Sequence, residues 1–268
     1  MKFSVIQLNS SDDQAANIDN IVALVEAAVQ EDRPDLVILP EMSAFISGSA
    51  DKLRNSAQPV LEGGYHQAMS ALAARLQVNI HAGSSVELRD GACYNTSAVF
   101  SRDGTLLGRY SKIHRFDATL PDGTELKESA TIAAGSDIVV VVIEGVRVGL
   151  AICFDLRFAE LFRRLADLEA DLIVVPSAFT FQTGADHWEI LLRARAIETQ
   201  CYVAAPGQVG TFDNGKYMNF GHSMIVDPWG LVVAQVSNGP GFVSTRLDSR
   251  YMEQVRTRLP VRQNRVLV

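Results

Sequence analysis

IVVVVIEGVRVGLAIC, residues 138–153, is two apolar runs separated by a Glu-Gly pair. Glycine takes the positive φ that a tight antiparallel turn demands, so the stretch reads as a β-hairpin turning at Gly145. Working outward, NTSAVFS (95–101) and LLGRYSK (106–112) flank Arg-Asp-Gly in the same way, and SMIVD (223–227) and LVVAQVS (231–237) flank Pro-Trp-Gly. A doubly wound parallel sheet is built from crossovers, and hairpins of this number fit it poorly. Crossovers are present as well. Residues 14–31 set Ile18, Ile21, Val22, Val25, Ala28 and Val29 on one helical face, with Asp12 and Asp13 in position to cap it. Further helices are expected at 65–77, 157–169 and 184–200. Between them lie the strand-like runs LVILP (36–40), VNIHAGS (78–84), DLIVVP (171–176) and residues 201–206. Apolar strands of this kind need cover on both faces. Two sheets carrying helices on their outer faces, in one α/β domain over 1–268, satisfy the pattern.

The 268 residues are 47% apolar and 21% charged, which suits a large core under an ordinary soluble surface. The net charge of −7 argues against a nucleic-acid or anionic-membrane partner. No apolar run reaches the roughly 18 residues of a membrane span, and the opening MKFSVIQLNS is strand-like rather than a signal peptide. Cys93, Cys153 and Cys201 form no CxxC, a usage expected of a reducing cytoplasm. The five histidines show no HxH or HExxH spacing, no GxGxxG opens a helix, and no GxxxxGK[ST] occurs. Neither a metal nor an organic cofactor is expected.

Reactive side chains stand at the ends of three apolar strands. Cys153 closes VRVGLAI just before a helical run, where free N–H groups favour a thiolate and can receive an oxyanion. A small buried core thiol would also fit that position. LVILP delivers Glu41, and a carboxylate at the rim of a core has the raised pKa of a general base. LLGRYSK delivers Lys112, whose ammonium can stabilise a tetrahedral oxyanion. Singly, each has an ordinary alternative as a loop acid or an exposed lysine.

Together, LPE (39–41), GRYSKIH (108–114) and CFDLRF (153–158), about 70 and 40 residues apart, resemble the Glu-Lys-Cys signature of the nitrilase superfamily of carbon–nitrogen hydrolases. The resemblance runs from SVIQLN to RLPVRQNR, and it implies a four-layer α-β-β-α sandwich. It implies Glu41 as general base, Lys112 as oxyanion-stabilising lysine and Cys153 as nucleophile. Within KESATIAAG it points to Glu128 as an accessory glutamate, with Glu125 a rival by proximity. It further implies the Phe154 N–H as an oxyanion donor and Arg157 as a contact for a substrate carboxylate, or else as an ion-pair partner of Asp155 or a helix end. The sequence departs from many relatives at Phe154, where they carry Tyr, and at Ala159, where they carry Pro. SAFTFQTGADHWEILLRARAIETQCYV (177–203) and GHSMIVDPWG (221–230) resemble the deaminated-glutathione amidase branch, beside the ω-amidases. There His187 is a candidate substrate contact and Trp188 a packing residue. His114 is expected to make a structural hydrogen bond, Cys93 and Cys201 to be core thiols, and ARAIETQ a packed helix with an internal ion pair. The implied activity is hydrolysis of a small carboxylate-bearing amide through a cysteine thioester, in a homodimer or larger assembly. An ω-amidase and a non-catalytic scaffold of the same fold are the alternatives.

Overall fold

The structure, a computed structural model of the chain, describes residues 1–119, 123 and 125–266. The chain runs through β1 (Lys2–Gln7), α1 (Gln14–Asp32), β2 (Leu36–Ile38), α2 (Ala50–Ser56), α3 (Gly64–Leu76), β3 (Asn79–His81), β4 (Ser85–Arg89), β5 (Ala92–Phe100) and β6 (Leu106–Ser111). A small hairpin of β7 (Asp117–Thr119) and β8 (Glu125–Lys127) leads to β9 (Val140–Ile143) and β10 (Val146–Leu150). Then come α4 (Ala159–Asp167), β11 (Leu172–Val174), α5 (Phe181–Thr199), β12 (Tyr202–Ala205) and a hairpin of β13 (Val209–Phe212) and β14 (Tyr217–Phe220). The chain ends with β15 (Met224–Val226), β16 (Val232–Gln235), β17 (Gly241–Arg246) and α6 (Ser249–Arg258).

Two sheets result. One is seven-stranded, ordered β17-β1-β2-β3-β5-β4 with β6 also on β5; the other is six-stranded, ordered β16-β15-β12-β11-β10-β9. Each has a parallel centre, β1-β2-β3 or β10-β11-β12, flanked by antiparallel strands. The mixture of hairpins and crossovers read from the sequence is therefore divided evenly between the sheets.

Strand alternation builds the layers. Phe3, Val5, Leu36, Ile38 and Val99 of the first sheet pack with Val148, Leu150, Leu172 and Val174 of the second. Phe3 meets Tyr202 edge-on across the gap, ring centroids 6.4 Å apart. The intervening residues Ile6, Val37, Leu39, Ile80 and Phe100 face the other way, onto Ile21 and Val25 of α1 and Met69 and Leu72 of α3. On the far side, Gly149 faces α4, where an added Cβ would lie 3.1 Å from Leu165. α5 buries Trp188, Leu192 and Ala196 against the same sheet. Each apolar side chain so buried contributes roughly 1.5–3 kcal/mol. The order of layers is α-β-β-α.

The hairpin at Gly145 turns through two left-handed residues, Glu144 (φ 50°) and Gly145 (φ 77°), and pairs Ile143 with Val146. Asp13 caps α1, accepting from the Ala15 and Ala16 N–H groups, whereas Asp12 pairs with Lys52. The helix expected at 157–169 begins at Ala159, because a 3-10 turn over Cys153–Arg157 comes first. β17 and the β13–β14 hairpin lie in stretches whose sequence shows no alternation strong enough to mark them.

Candidate active site

Cys153 starts that 3-10 turn in a left-handed conformation, φ 46°, a geometry that costs a non-glycine residue on the order of 1–3 kcal/mol. Surrounding bonds hold it there. The Cys153 N–H donates to Pro176 O (2.9 Å), at the end of β11. Buried Asp155 accepts from Ile152 N–H (2.9 Å), Tyr110 Oη (2.7 Å) and His114 N–H (3.0 Å), and lies 2.7 Å from His114 Nδ1. His114 also stacks on Phe158 at 3.6 Å, so it is the structural histidine expected. Tyr110 belongs to β6, and Lys112 follows that strand directly. Asp155 thus ties the lysine's segment to the cysteine's turn.

Glu41 stands three residues beyond the end of β2. Met42, next in the chain, is left-handed (φ 54°), its N–H donating to Ser84 Oγ at 3.1 Å. The Glu41 carbonyl accepts from Gln208 Nε2 at 2.9 Å. Lys112 N–H donates to Asn95 O on the neighbouring strand at 2.8 Å.

The side chains converge. Lys112 Nζ lies 2.9 Å from Glu41 Oε1 and 2.9 Å from Glu128 Oε2. Asn95 Nδ2 bridges the same two carboxylates, at 2.8 Å from Glu41 Oε1 and 3.2 Å from Glu128 Oε1. Glu41 Oε2 accepts from Ala178 N–H (2.8 Å), and Glu128 Oε2 from Phe116 N–H (2.6 Å). Glu41, Lys112 and Cys153 are 4%, 2% and 7% exposed. With Glu128 they line one cavity of about 220 Å³.

Electrostatics follow from this packing. Burial alone would push the Lys112 ammonium down, but Glu128 and Glu41 outweigh it and hold the pKa well above the ordinary value. Burial, then the Glu41 charge, pushes the Cys153 thiol well above its ordinary range despite Lys112. This differs from the expectation that the start of a helix would favour a thiolate: burial and a neighbouring carboxylate favour the protonated thiol. Glu41 is the carboxylate acting on that sulfur.

Other expectations divide. Glu128 reaches Lys112, while Glu125 points to solvent and pairs with Lys127 at 2.9 Å. The Phe154 N–H makes no backbone hydrogen bond among the described residues. Arg157 makes no ion pair among the described residues and is not in the lining of the Cys153 cavity; Asp155 is engaged elsewhere, and the guanidinium lies over Phe179 (4.7 Å) and Phe154 (5.3 Å). Burial lowers its pKa and the Cys153 sulfur opposes the shift, which places it within electrostatic reach of that sulfur. His187 is a correction. Trp188 takes the inward position on α5 and donates to His222 O, so its neighbour His187 faces outward and lines none of the cavity. Cys201 is buried as expected, Cys93 only half-buried, and Arg195 pairs with Glu198 at 3.0 Å. Asn95, Ala178 and Phe116 escaped the sequence reading. Only Asn95 left a trace there, as an amide opening an otherwise small and apolar strand. Among the described residues no group of three His, Cys, Asp or Glu side chains could hold a metal ion.

A family model described as carbon-nitrogen hydrolase matches residues 2–257. The chain belongs to the carbon–nitrogen hydrolase family. This hydrolase is 37% identical over 270 residues to a deaminated glutathione amidase of Synechocystis, covering 99% of the chain and 98% of the relative. It is 36% identical over 266 residues to the human omega-amidase NIT2, covering 98% and 95%. Among solved structures, Saccharomyces cerevisiae Nit3, a nitrilase-superfamily member, matches with TM-score 0.90 and 31% identity over 100% of this chain and 97% of that one. The Caenorhabditis elegans NitFhit protein matches with TM-score 0.91 and 34% identity, covering 99% of this chain and 65% of that one. The hydrolase acts on carbon–nitrogen bonds of the amide kind, as its amidase relatives do.

Proposed function

We propose that this hydrolase cleaves a carboxylate-bearing amide through a thioester on Cys153. The observation that carries it is the meeting of Glu41, Lys112 and Cys153 in one small buried cavity. Glu41 takes the thiol proton as sulfur adds to the amide carbon. The oxyanion is stabilised by Lys112 Nζ and the unpartnered Phe154 N–H. Collapse of the tetrahedral intermediate breaks the C–N bond, and Glu41 returns the proton to the departing nitrogen. Glu41 then takes a proton from water, which adds to the thioester and releases the acid and the thiol. Glu128 and Asn95 act as positioning groups: they fix the ammonium and the base against each other.

Deaminated glutathione is the first substrate to test, because the relatives include amidases named for it and Arg157 offers a guanidinium without a carboxylate partner among the described residues. Omega-amidase activity on a small keto acid amide is the second reading, carried by relatives such as one 36% identical to this chain. Purified protein is expected to release the keto acid and the dipeptide from deaminated glutathione. Brief exposure should leave an acyl mass on the peptide holding Cys153. Fast ammonia release from a simple keto acid amide with no turnover of the larger compound gives the function to the second reading. Absence of both turnover and adduct points to a non-catalytic scaffold.

The assembly we infer is a homodimer. Ile190 (70% exposed) and Ile197 on α5 form one apolar surface with Trp229 and Leu231, joined by Arg193 Nε donating to Gly230 O at 2.8 Å. Outward-facing His187 lies one turn from Ile190 on the same helix. Patches of this kind mark protein contacts. Sedimentation of a wild-type dimer that becomes monomeric in Ile190→Asp is the expected result; a wild-type monomer at micromolar concentration removes the assignment. Three unpaired cysteines accord with a cytoplasmic location, and no described helix is long and apolar enough to cross a membrane.

A further inference from the structure

Lys112 closes a strand whose other face lines a separate polar cavity. That cavity measures about 340 Å³ and shares no lining residue with the one at Cys153. Strand register builds it. Glu87 stands opposite Tyr94 and Thr96 opposite Ser111, and residues two apart share a face. Glu87 and Arg89 of β4, Tyr94 and Thr96 of β5, and Arg109 and Ser111 of β6 therefore project from one side of the first sheet. Lys112, next after Ser111, turns to the other side and enters the catalytic cluster.

Glu87 is the centre of this group and is 1% exposed. Its Oε1 accepts from Arg109 Nη1 at 2.8 Å, and its Oε2 accepts from Thr96 Oγ1 at 2.7 Å and from Arg89 Nη1 at 3.3 Å. Arg89 Nη2 donates to Ser111 Oγ at 3.2 Å, and the same guanidinium lies 4.0 Å over the Tyr94 ring. Both guanidiniums are thus oriented before any ligand arrives, which lowers the ordering cost of binding. Residues 134–137 supply further wall. Gly135 N–H donates to Lys112 O at 2.8 Å, and a Cβ there would collide with Ser111 O, so this segment sits directly on the strand end.

Charge decides what fits. Two guanidiniums face one buried carboxylate, which leaves one positive charge on the sheet wall. Neutralising Glu87 needs only one of them, and Arg109 at 2.8 Å suffices. Arg109 donates through Nη1 alone; its Nε and Nη2 have no acceptor among the described residues. Asp137, the acid in the lining among the described residues, is exposed and therefore screened by water. Open N–H groups on one edge of a guanidinium match the paired oxygens of a carboxylate or a phosphate.

We propose that this cavity is a second ligand site, which takes a small oxyanion, a phosphate or a short dicarboxylate, on the open edge of Arg109 beside Arg89. The site lies outside the catalytic cavity and does not depend on the amidase reading.

Calorimetric titration at constant ionic strength tests it, with inorganic phosphate in one arm and malonate in the other, on wild type, Arg109→Gln and Ala134→Glu. Ala134 is exposed on the cavity wall, so Ala134→Glu sets a rival carboxylate there while leaving every Glu87 contact in place. It keeps the test valid should Arg109→Gln fold poorly. Wild type is expected to bind one equivalent of at least one anion with Kd below about 1 mM, the tighter arm giving the class of the occupant. Each variant is expected to weaken that binding at least ten-fold. No saturable binding of either anion by wild type up to about 20 mM overturns the assignment. So does binding that Ala134→Glu leaves within two-fold, which would place the anion elsewhere as an adventitious ion only.

Discussion

Cys153→Ala is expected to lower amide turnover by about 10⁴-fold or more while moving the thermal midpoint little. The loss is large because Cys153 is the one thiol lining the cavity among the described residues, and the Ser47 hydroxyl there donates to Asp213 Oδ1 at 3.1 Å. The stability change is small because alanine removes a single sulfur and keeps the same strained backbone position. Cys201→Ala should behave in the opposite sense. Cys201 is fully buried, with Sγ 2.9 Å from Ala170 O and 3.3 Å from an Arg262 Nη, and it is not in the lining of the Cys153 cavity. Its removal should cost stability on the order of 1–2 kcal/mol with kcat unchanged. Iodoacetamide adds a second readout. Cys153 should be alkylated faster than Cys93 or Cys201, and substrate should protect it. Because burial and Glu41 hold its thiol up, labelling at neutral pH depends on a base accepting the proton rather than on a standing thiolate. Glu41→Gln removes a charge that holds the thiol up, so labelling that nevertheless slows sharply, the expected result, assigns the proton transfer to Glu41. An unchanged labelling rate in that variant would remove Glu41 from the proton-transfer step.

The residues that sequence reading found share one property: each stands where a short apolar strand ends. Glu41, Lys112 and Cys153 break an apolar or alternating run, and a linear pattern can carry that signal. Glu128 follows β8 in a 3-10 turn with no periodicity around it, so only family resemblance singled it out over Glu125. Ala178 and Phe116 contribute backbone N–H groups, which every residue but proline possesses and no sequence can mark. His187 was misjudged for a geometric reason. Successive helical residues differ by about 100°, so the burial of Trp188 turns its neighbour to the outside. The protonation state of Cys153 was misjudged for an electrostatic one: its sign depends on burial and on a carboxylate that arrives from more than a hundred residues away. The hairpins were legible from their glycine turns. β17, whose residues are mostly half-buried and whose partner β1 is at the opposite end of the chain, was not.

Lys112→Met tests the charge balance of the whole cluster. In the native protein one ammonium sits 2.9 Å from each of two carboxylates, all largely out of water. Methionine keeps the length of the side chain and removes the charge, leaving Glu41 and Glu128 facing each other across the Asn95 amide. Loss of one partner from a buried ion pair costs about 3–5 kcal/mol, so the thermal midpoint should fall on the order of 10 °C at neutral pH. The pH dependence identifies the cause. Without the ammonium the two carboxylates repel across one amide, so protonating one of them in acid relieves the variant. A raised folded pKa gives stability that is fully present below the unfolded value and lost as pH rises through the folded one. The variant should therefore approach wild type near pH 4 and fall progressively behind towards pH 7. In wild type the same rule applies to Lys112, whose raised pKa keeps its contribution intact until the medium is strongly alkaline. Adding Glu128→Gln to Lys112→Met removes the second charge and should restore much of the stability at pH 7, yet none of the turnover, because the oxyanion would still lack its ammonium. Equal destabilisation of Lys112→Met at pH 4 and pH 7 would mean that lost packing, not uncompensated charge, is what the lysine prevents.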